Sequence, residues 1–221
     1  MSECLVSIGA ASEDGTPVFQ HSLRNASSPA RIEDEARFLK SWVENPLRTG
    51  AVSPSGRHLA RTMAAYIDRD MAGPVIELGP GTGPVTEAIL KHGVPEERLI
   101  LVEFNPDFCK LLRLRFPKAT VVQGDAYGLR RTLHSVVTEP AAAVVSGLPL
   151  FTKPLPMRRA LLDETFALMH RGAPFIQFTY ATVPPIPKKG AGYTAKGSAR
   201  IWWNLPPARV WVYRRDAETR A

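Results

Sequence analysis

From residue 74 onward, short apolar runs alternate with longer amphipathic ones: VIEL, TEAILKH before Gly93, LILVE, PDFCKLLRLR, TVVQGD, GLRRTLHSV, AAAVVSG, MRRALLDETFALMHR before Gly172, and FIQFTY. The short runs have the length and β-branched content of buried strands and the longer ones the period of helices. Their alternation predicts a parallel sheet with helices on both faces. Beyond a Pro- and Lys-rich loop, PPIPKKGAGYTAKG, the segments ARIWWN and ARVWVYRR are separated by LPP and predict a closing antiparallel pair. One of the two adjacent tryptophans, Trp202 or Trp203, should then face the core, because successive strand residues point to opposite faces.

Upstream, RIEDEARFLKSWVEN places Ile32, Ala36, Leu39 and Val43 on one helical stripe, with Phe38 and Trp42 beside it and Glu33, Arg37, Lys40 and Glu44 opposite. Pro46 ends that helix. Ser53 as N-cap and Pro54 at the first position open a second helix through GRHLARTMAAYI, with Arg57, His58 and Arg61 on its polar side. Residues 1–30 show no sustained period and read as a tail. The expected organisation is a tail over 1–30, amphipathic N-terminal helices over 31–69, and one α/β domain over 70–215.

The length, 221 residues, suits a single domain. A formal charge of +7, with no acidic residue between Glu164 and Asp216, points to a polyanionic partner, either nucleic acid or an anionic lipid surface, unless the basic end is only a solvated face. Cys4 and Cys109 form neither a disulfide framework nor a metal cluster, so no metal is expected and a reducing cytoplasm fits. The amino terminus lacks the pattern of a signal peptide, and the best apolar run, AAAVVSGLPLF, is short and interrupted by Gly147 and Pro149. Any membrane contact should therefore be peripheral.

The strongest chemical signal is Val75-Ile76-Glu77-Leu78-Gly79-Pro80-Gly81-Thr82-Gly83, a strand running into a glycine loop at a helix start. Glycines permit close backbone approach, so a ligand can lie over Gly79, Gly81 and Gly83. Dinucleotide-binding folds use a similar device with GxGxxG spacing. Here the third glycine of that pattern is replaced by Pro84, and the GxGxG spacing favours S-adenosylmethionine. Glu103 closes the next strand and Asp125, followed by Ala126, closes the third. Carboxylates at strand ends suit a ligand bearing a sulfonium and an ammonium, although each acid taken alone can be a helix cap or a surface residue.

The ELGPGTG run, the LVE ending at Glu103 and the GDA containing Asp125 and Ala126 together resemble the cofactor motifs of Rossmann-like class I methyltransferases. This resemblance implies a mostly parallel seven-stranded sheet with an antiparallel closing strand. It also implies that Glu103 accepts hydrogen bonds from the ribose hydroxyls, Asp125 from the adenine amino group, and that Glu77 helps hold the methionine amine. The fourth strand ends in Ser146-Gly147-Leu148-Pro149-Leu150-Phe151, the place where amino-group methyltransferases of this class meet their target nitrogen. Ribosomal RNA adenine dimethyltransferases normally carry Asn or Asp, an aliphatic residue, Pro and an aromatic there, and an enzyme of that type acting on RNA is the alternative reading.

The lead-in RFLKSWVENPLRTGAVSPSGRHLARTMA, VIELGPGTGPVTEAIL, SGLPL, FIQFTYATVPP and the closing NLPPARVWVYRR resemble the soluble bacterial type of phosphatidylethanolamine N-methyltransferase over residues 32–215. That resemblance implies an enzyme that methylates phosphatidylethanolamine, and its mono- and dimethyl forms, toward phosphatidylcholine; a monomeric cytoplasmic protein, peripheral at the inner membrane, is expected. Tyr180, Ser146 and the Gly147 carbonyl are candidates for orienting the amine, while Tyr127 and Phe151 offer aromatic faces to a methylammonium or else pack in the core. Phe38, Trp42, Arg57, Arg61, Lys188 and Lys189 are candidates for contact with lipid and the membrane surface. The first helix can equally pack over the cofactor. A third possibility is a cofactor-dependent sensor without turnover.

Overall fold

The computed structural model describes residues 54–188, 192–204 and 206–216. Residues 1–30, the helix expected over 31–45 with Phe38 and Trp42, the Ser53 cap and Lys189 lie outside the described residues. Helix α1, Pro54–Ala64, is followed by β1 (Val75–Leu78), α2 (Pro84–Lys91), β2 (Leu99–Glu103), α3 (Pro106–Arg115), β3 (Thr120–Gln123), α4 (Leu129–Leu133), β4 (Ala143–Ser146), α5 (Leu155–Ala167), β5 (Phe175–Thr179), β6 (Tyr193–Gly197) and β7 (Arg209–Arg215).

The strands form one seven-stranded sheet in the order β3-β2-β1-β4-β5-β7-β6, parallel except that β7 runs antiparallel to both β5 and β6. This is the Rossmann-like methyltransferase architecture. The central strands are buried along their whole length, as a sheet covered on both faces requires, whereas the edge strands β3 and β6 are partly exposed. Their side chains alternate between two cores. Val75, Leu99 and Leu101 join one with Met63 and Ile89, while Ile76, Leu78, Ile100 and Val102 join the other with Leu133, Leu162 and Tyr213. Helix α1 is part of the first core: Leu59, Ala60, Met63 and Ala64 are buried against the sheet, and Arg57, His58 and Arg61 face solvent.

Two sequence expectations need correction. The closing pair is β6 with β7, so the strand lies in YTAKG, inside the expected loop, and ARIWWN instead makes a turn with one antiparallel bridge, Ile201 to Ala208. Tyr193 supplies the anchor for β6 by burying its ring among Phe166 and Tyr213. Neither tryptophan faces the core, since Trp202 is 72% and Trp203 80% exposed. The helix expected to run to Arg171 ends at Ala167, because Met169 leaves it to bridge Ala141. Among the described residues no helix is long and apolar enough to cross a membrane.

Candidate active site

In a parallel sheet the carboxyl ends of the strands, where side chains and helix amino termini converge, are where ligands bind. Glu77, Gly79–Gly83, Glu103, Asp125, Ser146 and Gly147 all fall there. The loop after β1 is tied down by its neighbours: Gly79 N–H donates to Val102 O at 2.9 Å and Gly147 N–H to Leu78 O at 2.8 Å. Gly79, Gly81 and Gly83 all have positive φ. At Gly83 a side chain would strike the Phe116 ring at 2.6 Å, whereas at Gly81 a Cβ would meet nothing within 4 Å. Gly83 is thus required by packing and Gly81 borders open space where a ligand can lie.

Glu77 is 2% exposed and accepts a 2.7 Å hydrogen bond from the Thr86 hydroxyl in the first turn of α2. Burial pushes its carboxyl up to about 7, against the lowering effect of Thr86 and with a further rise from the nearby Glu103 charge. An acid so placed gains most from a cation brought beside it. Glu103, 8% exposed, accepts from Gly81 N–H at 3.0 Å through Oε2 and from Asn105 N–H at 2.9 Å through Oε1. It therefore shapes the glycine loop, and two carboxylate oxygens retain lone pairs for a diol. These features fit S-adenosylmethionine, whose ammonium and ribose hydroxyls match a buried acid and a strand-end carboxylate beside an open glycine loop.

Asp125 accepts from Tyr127 N–H at 2.9 Å, capping a 3₁₀ turn in which Ala126 is buried against the second core. The Tyr127 hydroxyl is buried without a partner and pushed up to about 12 by burial, and the Lys153 ammonium stands 5.1 Å from its ring centre. Arg158 stands 5.2 Å from the Phe151 ring centre. Both aromatic faces therefore already hold cations.

After β4, Ser146 is fully buried and its Oγ accepts from Leu148 N–H at 3.3 Å. Gly147 lies against the glycine loop so closely that a Cβ would sit 2.8 Å from Gly79 O. Tyr180 lines an apolar cleft with Leu148, Pro149, Phe151, Phe178 and Pro185, its ring edge-on to Phe178 at 5.6 Å. Lys188, Arg57 and Arg61 are exposed.

Sequence reasoning missed two residues here. Phe104, directly after Glu103, is 75% exposed and offers a flat apolar face beside the strand-end acid. Gln177, paired with Ser146 across the sheet, donates Nε2 to Leu148 O at 3.0 Å and to Phe178 O at 2.8 Å, while its buried Oε1 has no partner. The available signals were an aromatic abutting a strand-end acid and a polar residue inside an apolar strand. A larger cleft, about 430 Å³, lies at the amino ends of β1 to β3 around Gly73, Thr120 and Glu139. Arg98 in its wall is engaged by the carbonyls of Arg69, Met71 and Gly73, and the strand-end acids point to the other end of the sheet.

No family model matches the chain. A SAM-dependent O-methyltransferase from Thermotoga maritima shares the fold, with a TM-score of 0.57 at 13% identity over 81% of this chain and 72% of that one. A ribosomal RNA small subunit methyltransferase A from a Synechococcus species is 44% identical over 96 residues, which are 40% of this chain but 30% of that protein. An ornithine lipid N-methyltransferase from Singulisphaera acidiphila is 34% identical over 151 residues, 67% of this chain and 79% of that protein. With that extent of likeness, and with a fold and loop that fit S-adenosylmethionine, the chain belongs to the lipid N-methyltransferases of the class I S-adenosylmethionine-dependent superfamily.

Proposed function

We propose that this chain methylates the amine of phosphatidylethanolamine, and then its mono- and dimethyl forms, toward phosphatidylcholine at the cytoplasmic surface of the inner membrane. The observation that carries this reading is the packing of the turn after β4. With 2.8 Å between a Cβ at Gly147 and Gly79 O, there is no room for an Asn or Asp side chain at that position, and Leu150, 2% exposed, stands where an aromatic would stack an adenine. What remains is a narrow apolar crevice of about 10 Å³ edged by the Tyr180 ring, which offers no slot for a flat base; an amine on an aliphatic lipid is the smaller guest to place against its mouth.

In this assignment Glu77 faces the methionine ammonium, Glu103 accepts from the ribose hydroxyls, and Asp125 accepts from the adenine amino group beside Ala126. Phe104 supplies a stacking face. The bound cofactor supplies an electrophilic methyl group on a sulfonium. The substrate ammonium must shed a proton before its nitrogen can attack, which for a primary amine costs about 4 kcal/mol at neutral pH. Placement of the amine against the apolar side chains of Leu148 and Phe178 lowers that cost by disfavouring the charged form. Tyr180 and the Gly147 carbonyl then orient the nitrogen, and buried Ser146 holds the turn through Leu148. Alignment can contribute about 7 to 11 kcal/mol of rate enhancement. Exposed Lys188 is assigned to the lipid phosphate and exposed Arg57 and Arg61 to the membrane surface; Lys189, Phe38 and Trp42 are further candidates from the sequence.

A second reading, methylation of the primary amine of an ornithine lipid, is favoured by the Singulisphaera acidiphila relative. The two are separated by labelled methyl transfer into vesicles containing one lipid or the other, with ribosomal RNA as a parallel substrate. Label in mono-, di- and trimethylated phosphatidylethanolamine is expected. Label confined to ornithine lipid selects the second reading, and label in RNA alone overturns both.

A further inference from the structure

Two large apolar side chains stand exposed side by side on a turn whose backbone is braced. Trp202 and Trp203 are 72% and 80% exposed, in the connection between β6 and β7. Below them, Ile201 and Ala208 exchange backbone hydrogen bonds at 2.8 and 3.3 Å. Asn204, 4% exposed, is turned inward, donating its side-chain Nδ2 to Pro206 O at 2.7 Å and its N–H to Ile201 O at 3.3 Å. At the base, Ser198 N–H donates to Val210 O at 2.7 Å and Ser198 Oγ accepts from Val210 N–H at 3.0 Å. A slack loop would fold its indoles back onto the protein; this one holds both out, with the Arg200 guanidinium 5.4 Å from the Trp202 ring centre.

The turn also stands at a defined place. Thr179, at the carboxyl end of β5, pairs with Arg209, and Gly197 pairs with Trp211, so the connection emerges from the same edge of the sheet as the glycine loop and the turn after β4. β7 is two strands from β4, a lateral offset of roughly 10 Å at ordinary strand spacing. Resting on the reading that the substrate amine belongs to a membrane lipid, we propose that this turn is a wedge whose two indoles enter the head-group layer of an anionic bilayer and hold the cofactor edge of the sheet against it.

The occupant follows from the chemistry of the patch. Indole, with an apolar ring and a single N–H, partitions to the layer between acyl chains and water. Arg200 stands against the Trp202 ring, Lys188 and Lys196 precede it in the chain, and no acid occurs in sequence between Glu164 and Asp216. Such a surface is drawn to an anionic leaflet. A single-stranded RNA can also use exposed aromatics beside cations as a stacking platform, so it is included in the test as the competing ligand.

The test uses the full chain and vesicles of phosphatidylethanolamine with phosphatidylglycerol. Because both rings are exposed, the double variant Trp202→Ala, Trp203→Ala should keep the wild-type circular dichroism and melting temperature. Its vesicle affinity, measured by co-sedimentation, should fall by at least about tenfold. Methyl transfer to vesicle lipid should fall with it, while transfer to a short-chain, monomeric phosphatidylethanolamine is retained. In a Trp42→Phe background, bromine on the upper acyl carbons should quench tryptophan emission, and quenching should be lost when Trp202→Phe and Trp203→Phe are added. Vesicle affinity unchanged in the double variant, equal loss of transfer to short-chain and vesicle lipid, or quenching by oligoribonucleotide without any by vesicles would each overturn the wedge. If no lipid is methylated but vesicle affinity still depends on the two rings, the wedge stands and the substrate assignment fails.

Discussion

At the scale of single residues, Glu77 is the acid whose environment asks most of it. Its carboxyl rises from 4.5 to about 7 because it is buried. Between these values the folded protein binds a proton that the unfolded chain has released, so stability falls as pH rises through that window and levels off above it. The loss amounts to about 3 kcal/mol by pH 8. Glu77→Gln, neutral throughout and still able to accept from Thr86, should therefore be more stable than wild type at pH 8 in urea titrations without cofactor, and should lose that advantage near pH 5. The same variant should bind S-adenosylmethionine at least about tenfold more weakly, since it cannot supply a charge to the ammonium. Equal stability of the two proteins at pH 8 would show that Glu77 ionises without penalty.

Gly147 makes the opposite kind of demand, for space. Gly147→Ala places a methyl 2.8 Å from Gly79 O and must separate the glycine loop from the turn after β4. It should cost about 1 to 3 kcal/mol of stability and weaken cofactor and amine sites together, visible as a lower kcat and a weaker cofactor affinity in calorimetry. Gln177→Leu should act on one side only, because it releases the carbonyls of Leu148 and Phe178 without touching the glycine loop. A fall in kcat with cofactor affinity within about twofold of wild type is expected.

Among the elements, the mainly apolar strands that are buried along their whole length were legible from sequence. The strands VIEL, LILVE and AVVS are apolar because helices cover both faces, and the strand-end acids follow them directly. The error at β6 arose where local pattern and tertiary context disagree. IWWN is more apolar than YTAKG, but Pro206 and Pro207 follow it and Asn204 turns inward, which favours a turn, while Tyr193 gains a buried aromatic cluster. The partners of Gln177 and the spacing at Gly147 were illegible for another reason: both are contacts between segments far apart in the chain. Arg98 is a third such contact, donating to the carbonyls of Arg69, Met71 and Gly73 and so fixing the approach to β1. Arg98→Met should lower stability by about 2 to 4 kcal/mol, yet leave cofactor affinity nearly unchanged, because this element contact lies at the amino ends of the strands. Calorimetry and thermal unfolding on one sample separate the two effects.

For the whole molecule, the arrangement of charge decides how a lipid-modifying enzyme reaches its substrate. The net charge is +7, and its exposed cations include Arg57 and Arg61 on α1 as well as Lys188 and Lys196 toward the carboxyl-terminal strands. Arg57 lies near the carboxylate of Glu87, in the first turn of α2, where it adds to the stronger effects of Lys91 and Arg115 in holding that acid low. Arg57 thus lies on the side of α1 toward α2, the helix that begins directly after the glycine loop. The proposed membrane contact would then draw on two kinds of attraction that differ in range. Charge is screened over about 10 Å at 0.1 M salt, with each basic group near an anionic surface contributing about 1 kcal/mol. Indole insertion is a contact effect that salt leaves in place. Reversal of α1 charge in Arg57→Glu, Arg61→Glu should therefore flatten the salt dependence of binding to phosphatidylglycerol-containing vesicles, with the largest loss of affinity at low salt. Loss of Trp202 and Trp203 should instead lower the affinity by a similar factor at every salt concentration. Co-sedimentation across a salt series measures both slopes, and identical salt dependence in the charge-reversed and wild-type proteins would remove α1 from the membrane-facing surface.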